Sequence, residues 1–187
     1  MEAFSDGVMA VIITIMVLEM KVPHAFDLAA LRGTLPVFLV YVVSFVYVGI
    51  YWSNHHHLVY AAQRVDGRVL WSNLHLLFWL SLVPFTTAWV SQNHIAAVPT
   101  AAYGFVLILC GFAYKLLQNA LIATNGSDSV LARAIGSDLK GYASLALYAL
   151  AIGLAFVNPW ISDGLYVAVA GMWLVPDRRI EHLLPKI

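Results

Sequence analysis

Charge is what this sequence most lacks. Only 11% of its 187 residues are Asp, Glu, Lys or Arg, against about 25% in an ordinary soluble domain. That is too little to cover a water-soluble surface. The 10 acidic and 10 basic side chains cancel, which removes the bulk basic field that nucleic-acid binding needs. The single Cys110 lies in an apolar run, excluding an internal disulfide and a cysteine-based zinc cage. There is no internal repeat, low-complexity segment or soluble appendage. No Ser-His-Asp set, phosphate loop or pair of catalytic carboxylates stands out, so the residues offer little for an enzyme and imply no cofactor. The first apolar run also lacks the marks of a cleaved signal peptide. It has no basic leader, contains Asp6 and Glu19, and is followed by no small-residue cleavage site.

What the sequence has is apolar length: 61% of it is hydrophobic. Runs of spanning length separated by short polar loops predict helices over residues 5–22, 35–56, 69–90, 99–123, 141–157 and 162–176. The expectation is one all-α integral membrane domain over residues 1–187, with six transmembrane helices. Asn158-Pro159-Trp160 forms the turn between the last two, Asn125-Gly126-Ser127-Asp128 opens the longest loop, and a charged tail runs from Asp177 to Ile187. Lys and Arg are retained on the cytoplasmic side of a membrane. With six spans, both termini share a side with Arg64, Arg68, Arg133, Lys140, Arg178, Arg179 and Lys186, while the other side holds Lys21 and Arg32. Lys115, near the inner end of the fourth helix, can snorkel inward. Both termini are therefore expected in the cytoplasm, of the cell inner membrane for a prokaryote.

Ionisable groups within spans are costly and hence informative. They are Asp6 and Glu19 in the first helix, His55-His56-His57 ending the second, His75 in the third, and Lys115. Consecutive helical residues point about 100° apart, so the histidine triplet cannot converge on one metal. An interfacial belt beside Trp52 and Tyr60 is the favoured reading. On the first helix, Ala3, Gly7, Ala10 and Thr14 form a small-residue edge suited to close helix approach. Val11, Ile15, Leu18 and Val22 form a second stripe, with Asp6 on the opposite side. Periodicity alone reads that aliphatic line as lipid-facing.

The first helix also carries a likeness. Phe4-Ser5-Asp6-Gly7, continuing Val8-Met9-Ala10-Val11-Ile12-Ile13-Thr14-Ile15-Met16-Val17-Leu18, resembles the first helix of the transmembrane protein 175 family of endolysosomal and prokaryotic potassium channels. Tyr51-Trp52-Ser53-Asn54-His55-His56 and Asn73-Leu74-His75 add softer support. The family pattern has an arginine four residues before the phenylalanine, a position that here falls ahead of Met1.

The resemblance implies a homotetramer of six-helix subunits around one axis, with the first helix of each lining the pore. No carbonyl filter is implied, and no Thr-Val-Gly-Tyr-Gly segment occurs. The matching positions are Val11, Ile15 and Leu18 as constricting rings that gate by dewetting, with Thr14 as a hydroxyl ring. Backbone bonding is the alternative role for Thr14. Val11 stands where other members often carry isoleucine. Combined with the stripe, the likeness moves pore lining above lipid exposure. The function implied is a potassium-selective or weakly selective cation channel in the lipid bilayer, with potassium preferred over sodium and proton permeation left open. The alternative is a proton-coupled secondary transporter using Asp6, His75 and Lys115 near the midplane.

Phe4, Ser5, Asp6 and His75 are read as a structural motif. Asp6 points away from the axis and needs a partner out of water, and His75 lies at the matching depth. The expected arrangement is an Asp6–His75 clasp, with Ser5 capping the helix start. The other arrangement leaves Asp6 in cytoplasmic water and His75 on a backbone carbonyl.

Overall fold

A computed structural model of the chain describes residues 1–23, 27–93, 95–135 and 138–174. The charged tail with Arg178, Arg179 and Lys186, and the end of the sixth expected run, lie outside the described residues. Within them the secondary structure is helical: α1 Glu2–Leu18, α2 Leu28–Gly33, α3 Leu35–Tyr60, α4 Gly67–Leu80, α5 Val83–Gln92, α6 Ala97–Asn125, α7 Val130–Ile135, α8 Leu139–Leu154 and α9 Pro159–Leu174.

Each expected apolar run contains helix, but the first helix stops at Leu18, four residues short of the expected Val22, and the boundaries follow from identifiable residues. Asp27, Asp66 and Asp138 cap α2, α4 and α8 by accepting from the amides of Ala30, Val69 and Gly141. The Val69 amide holds the half-buried Asp66 carboxyl below the usual carboxylate range. The third run is two helices because Pro84, in the first turn of α5, has no N–H to return to the preceding turn. α6 stops at Gly126, whose φ of 97° is open to glycine. The six-residue helices α2 and α7 lie in loops that hydropathy reads as unstructured.

Among the described residues, three stretches are long and apolar enough to cross a membrane: Leu35–Tyr60, Gly67–Gln92 taken across its break, and Ala97–Asn125. α1 and α8, at 17 and 16 residues, reach roughly 24–26 Å at 1.5 Å per residue. That is a little under the roughly 30 Å hydrocarbon thickness.

The long α6 is central, packing against α4, α5, α8 and α9, while α1 lies against α3, α4 and α5. Two apolar clusters result. One gathers Met9, Ile12 and Met16 of α1 with Leu76 and Leu80 of α4 and Leu117 and Leu121 of α6. The other is rich in tyrosine: Tyr47, Tyr103, Tyr148 and Tyr166. Gly104 permits the second, because a Cβ there would run into the Tyr166 side chain.

Candidate pore helix and its anchoring network

α1 has one face inside the subunit and one outside it. Ser5, Met9, Ile12 and Met16 are buried, spaced four, three and four residues apart as a single helical face requires. The other side is open. Val11, Ile15 and Leu18 are 54%, 43% and 79% exposed, and Ala3, Gly7, Ala10 and Thr14 are exposed beside them; Val22 lies beyond the end of the helix. A Cβ added at Gly7 would meet nothing within 4 Å. Both stripes read from the sequence thus lack partners in the described part of one chain. The Thr14 hydroxyl donates to the carbonyls of Ala10 and Val11, each at 3.0 Å. Its proton is spent on the backbone, and its oxygen keeps lone pairs to offer outward.

The buried face is tied down by side chains. The Asn73 amide donates to Ser5 Oγ at 2.9 Å, and its carbonyl oxygen lies 2.7 Å from His55 Nε2. Ser5, Asn73 and His55 are all buried. A carboxamide suits the middle of this chain because it both donates and accepts. One turn outward, the Trp52 indole N–H donates to Asp6 Oδ1 at 3.0 Å, and His56 Nδ1 lies 3.0 Å from Glu2 Oε1. The first turns of α1 are thereby joined to α3 and α4 through four side chains of those helices, Trp52, His55, His56 and Asn73.

Several expectations are corrected. Asp6 does face into the subunit, but its partner is Trp52. His75 accepts instead from the Trp79 indole on its own helix at 2.8 Å, so the Asp6–His75 clasp is not formed. The periodicity of α4 explains why. Asn73 shares the buried face of Val69, Leu76, Leu77 and Leu80, and His75 lies about 200° around the helix from it. Ser5 does not cap α1, which begins earlier; its hydroxyl donates back to the Met1 carbonyl. Phe4 points outward, 58% exposed. Of the histidine triplet, His57 is exposed and His56 stacks with Trp52 and Tyr60, as in an interfacial belt. His55 is buried and belongs to the network. The Lys115 ammonium pairs with Asp138 at 2.8 Å and sits over the Tyr142 ring.

The family model for the endosomal/lysosomal potassium channel TMEM175 matches residues 1–84. A potassium channel from Chryseobacterium sp. (strain P1-3) is 52% identical over 98% of this chain and 96% of its own length. The chain belongs to the TMEM175 family. The crystal structure of a lysosomal potassium-selective channel TMEM175 homolog from Chamaesiphon minutus superposes with a TM-score of 0.83. It is 28% identical, with 94% of this chain and 95% of that one covered. The endosomal/lysosomal proton channel TMEM175 of Bos taurus is 30% identical over 90% of this chain, which spans 39% of that protein. The present chain is accordingly a membrane protein of an ion-channel family, which is not an enzyme class. The residues within the family match include the whole network from Glu2 to Asn73.

Proposed function

We propose that the chain is one subunit of a homotetrameric, potassium-preferring cation channel whose ion path is lined by α1. The observation that carries the reading is the division of α1 into a face locked to its own subunit and an aliphatic face left open. One helix cannot enclose a path, so four copies of that open face around an axis supply the wall. Ala3, Gly7 and Ala10 allow the close approach this needs.

Val11, Ile15 and Leu18 then form successive hydrophobic rings. A narrow aliphatic ring expels water and blocks ions; a small outward movement of the helices rewets it. Thr14 sets a hydroxyl oxygen between the upper and lower rings, where a partly dehydrated potassium ion can exchange a water ligand for it. The Ser5–Asn73–His55 chain and the Asp6–Trp52 bond hold the foot of α1 so that the rings stay in register. In this arrangement α1, α3, the α4–α5 pair, α6, α8 and α9 are the six spans. Both termini are cytoplasmic, on the side rich in Arg and Lys.

Purified protein in liposomes should carry passive potassium flux driven by a potassium gradient alone, and mass measurement in mild detergent should find four chains. Ile15→Asn should raise flux and narrow the preference for potassium over sodium. A conducting monomer, or unchanged conduction in Ile15→Asn and Leu18→Asn, would remove the shared pore.

A further inference from the structure

We propose that Glu2, Asp6 and His56 form a binding site for a first-row divalent metal ion of the zinc type, joining the foot of α1 to the end of α3. One ligand atom from each residue lies within 4.8 Å of the other two, and the Glu2–His56 pair is already at 3.0 Å. A tetrahedral zinc ion with bonds of 2.0–2.2 Å holds its ligand atoms about 3.3 Å apart. The widest gap, no more than 4.8 Å, must therefore close by at most about 1.5 Å, within the reach of a glutamate side chain.

The placement follows from the helices. Glu2 and Asp6 are four residues apart and so stand on one face of α1, and His56 comes from the last turns of α3, which ends at Tyr60. The supporting shell is in place as well. The Trp52 indole holds one oxygen of Asp6 and leaves the other for a metal. The His56 ring is stacked between Trp52 and Tyr60, with interplanar angles of 29° and 20°, which fixes its plane. Partners of this kind orient ligands and raise metal affinity.

Charge supplies the reason for a cation. Two carboxylates face each other here, and among the described residues neither is paired with a lysine or arginine. A divalent ion balances both carboxylates at once. One imidazole nitrogen and two carboxylate oxygens form a set suited to zinc or manganese. Three ligands are too few for calcium, which takes six to eight oxygens. All three residues are half-buried, so an ion can enter from water and coordination can be completed by a water molecule.

The test uses the full-length protein, purified in detergent, freed of any affinity tag and stripped of metal. Zn²⁺ is titrated calorimetrically, and Co²⁺ is followed by its visible ligand-field absorption. One ion per chain is expected, with a rise in the thermal midpoint. His56→Gln and Asp6→Asn should each weaken binding at least tenfold, while His57→Gln, on a different face, leaves it unchanged. Glu2→Gln, at the half-exposed helix start, keeps the fold intact and should also weaken binding about tenfold. Absence of binding, or equal affinity in His56→Gln and Glu2→Gln with the oligomer intact, would overturn the site. Loss on His57→Gln with retention on His56→Gln would overturn it equally.

Discussion

The two ends of the chain are held together by different kinds of bond. Around α1, side chain meets side chain: Ser5 with Asn73, Asn73 with His55, Asp6 with Trp52, Glu2 with His56. Around α9, side chains reach mostly for backbone. Tyr47 donates to the Tyr166 carbonyl at 2.6 Å, Tyr166 to the Thr100 carbonyl at 3.1 Å, and Ser162 to the Ala151 carbonyl at 2.7 Å. A bond between side chains constrains both residue types; a bond to a carbonyl constrains one, since every residue carries that acceptor. The first kind leaves a motif in the sequence and the second leaves little. The family model's match over residues 1–84 falls on the end where both partners are constrained.

Removing the middle of the α1 network should have the largest effect. Asn73→Leu leaves the buried His55 Nε2 without a partner and removes the donor to Ser5 Oγ, and should cost about 2–3 kcal/mol of stability. Thermal unfolding of the detergent-solubilised oligomer measures this. Ser162→Ala, which removes a donor to the Ala151 carbonyl, should cost about 1 kcal/mol. Equal losses would erase the contrast between the two ends.

Close packing at the α9 end can be probed in its own terms. Gly104→Ala forces a methyl against Tyr166 and should cost about 1–2 kcal/mol, as overpacking of a filled core does. Tyr166→Phe in the same chain should return part of that loss, because the phenolic oxygen is the nearest atom. No relief would mean that helix spacing at the α6–α9 crossing adjusts freely.

The smallest effect concerns Asp66 and appears only in acid. Its carboxyl lies below its ordinary value because it accepts from the Val69 amide. The cap is therefore fully present above the unfolded carboxylate pKa, about 3.9, and is lost as pH falls through the lower folded value. Asp66→Asn, which keeps an acceptor but does not titrate, should hold a constant gap to the parent near neutrality. Below about pH 4 the gap should narrow. A gap that changes between pH 6 and 8 would point to another titrating group.

Helix positions were legible because long apolar runs dominate the chain, and the open face of α1 was legible because 3.6-residue periodicity fixes which residues share a side. The partners of that helix were less so. Asp6 called for a partner across a helix boundary, and depth alone favoured His75. Only the register of α4, with Asn73 on the stripe of Val69, Leu76 and Leu80, excludes it. That register was readable from the spacing of the leucines. Pairing Asp6 with Trp52 needs the relative rotation of α1 and α3, which no single-helix pattern contains. His55 was hidden by its neighbours, since a triplet invites one explanation for three residues that point in three directions.

The central claim is that the open face of α1 meets ions, and thiol accessibility tests it most directly. Cys110, 0% exposed, leaves a silent background. Ile15→Cys and Leu18→Cys can be treated with a charged, water-soluble thiol reagent while potassium flux is recorded. Val17→Cys, 42% exposed but off the aliphatic stripe, serves as the comparison. Rapid modification at positions 15 and 18 that alters flux, with position 17 inert, is the predicted result. Reaction at 17 with silence at 15 and 18 would put the stripe in lipid and contradict the account.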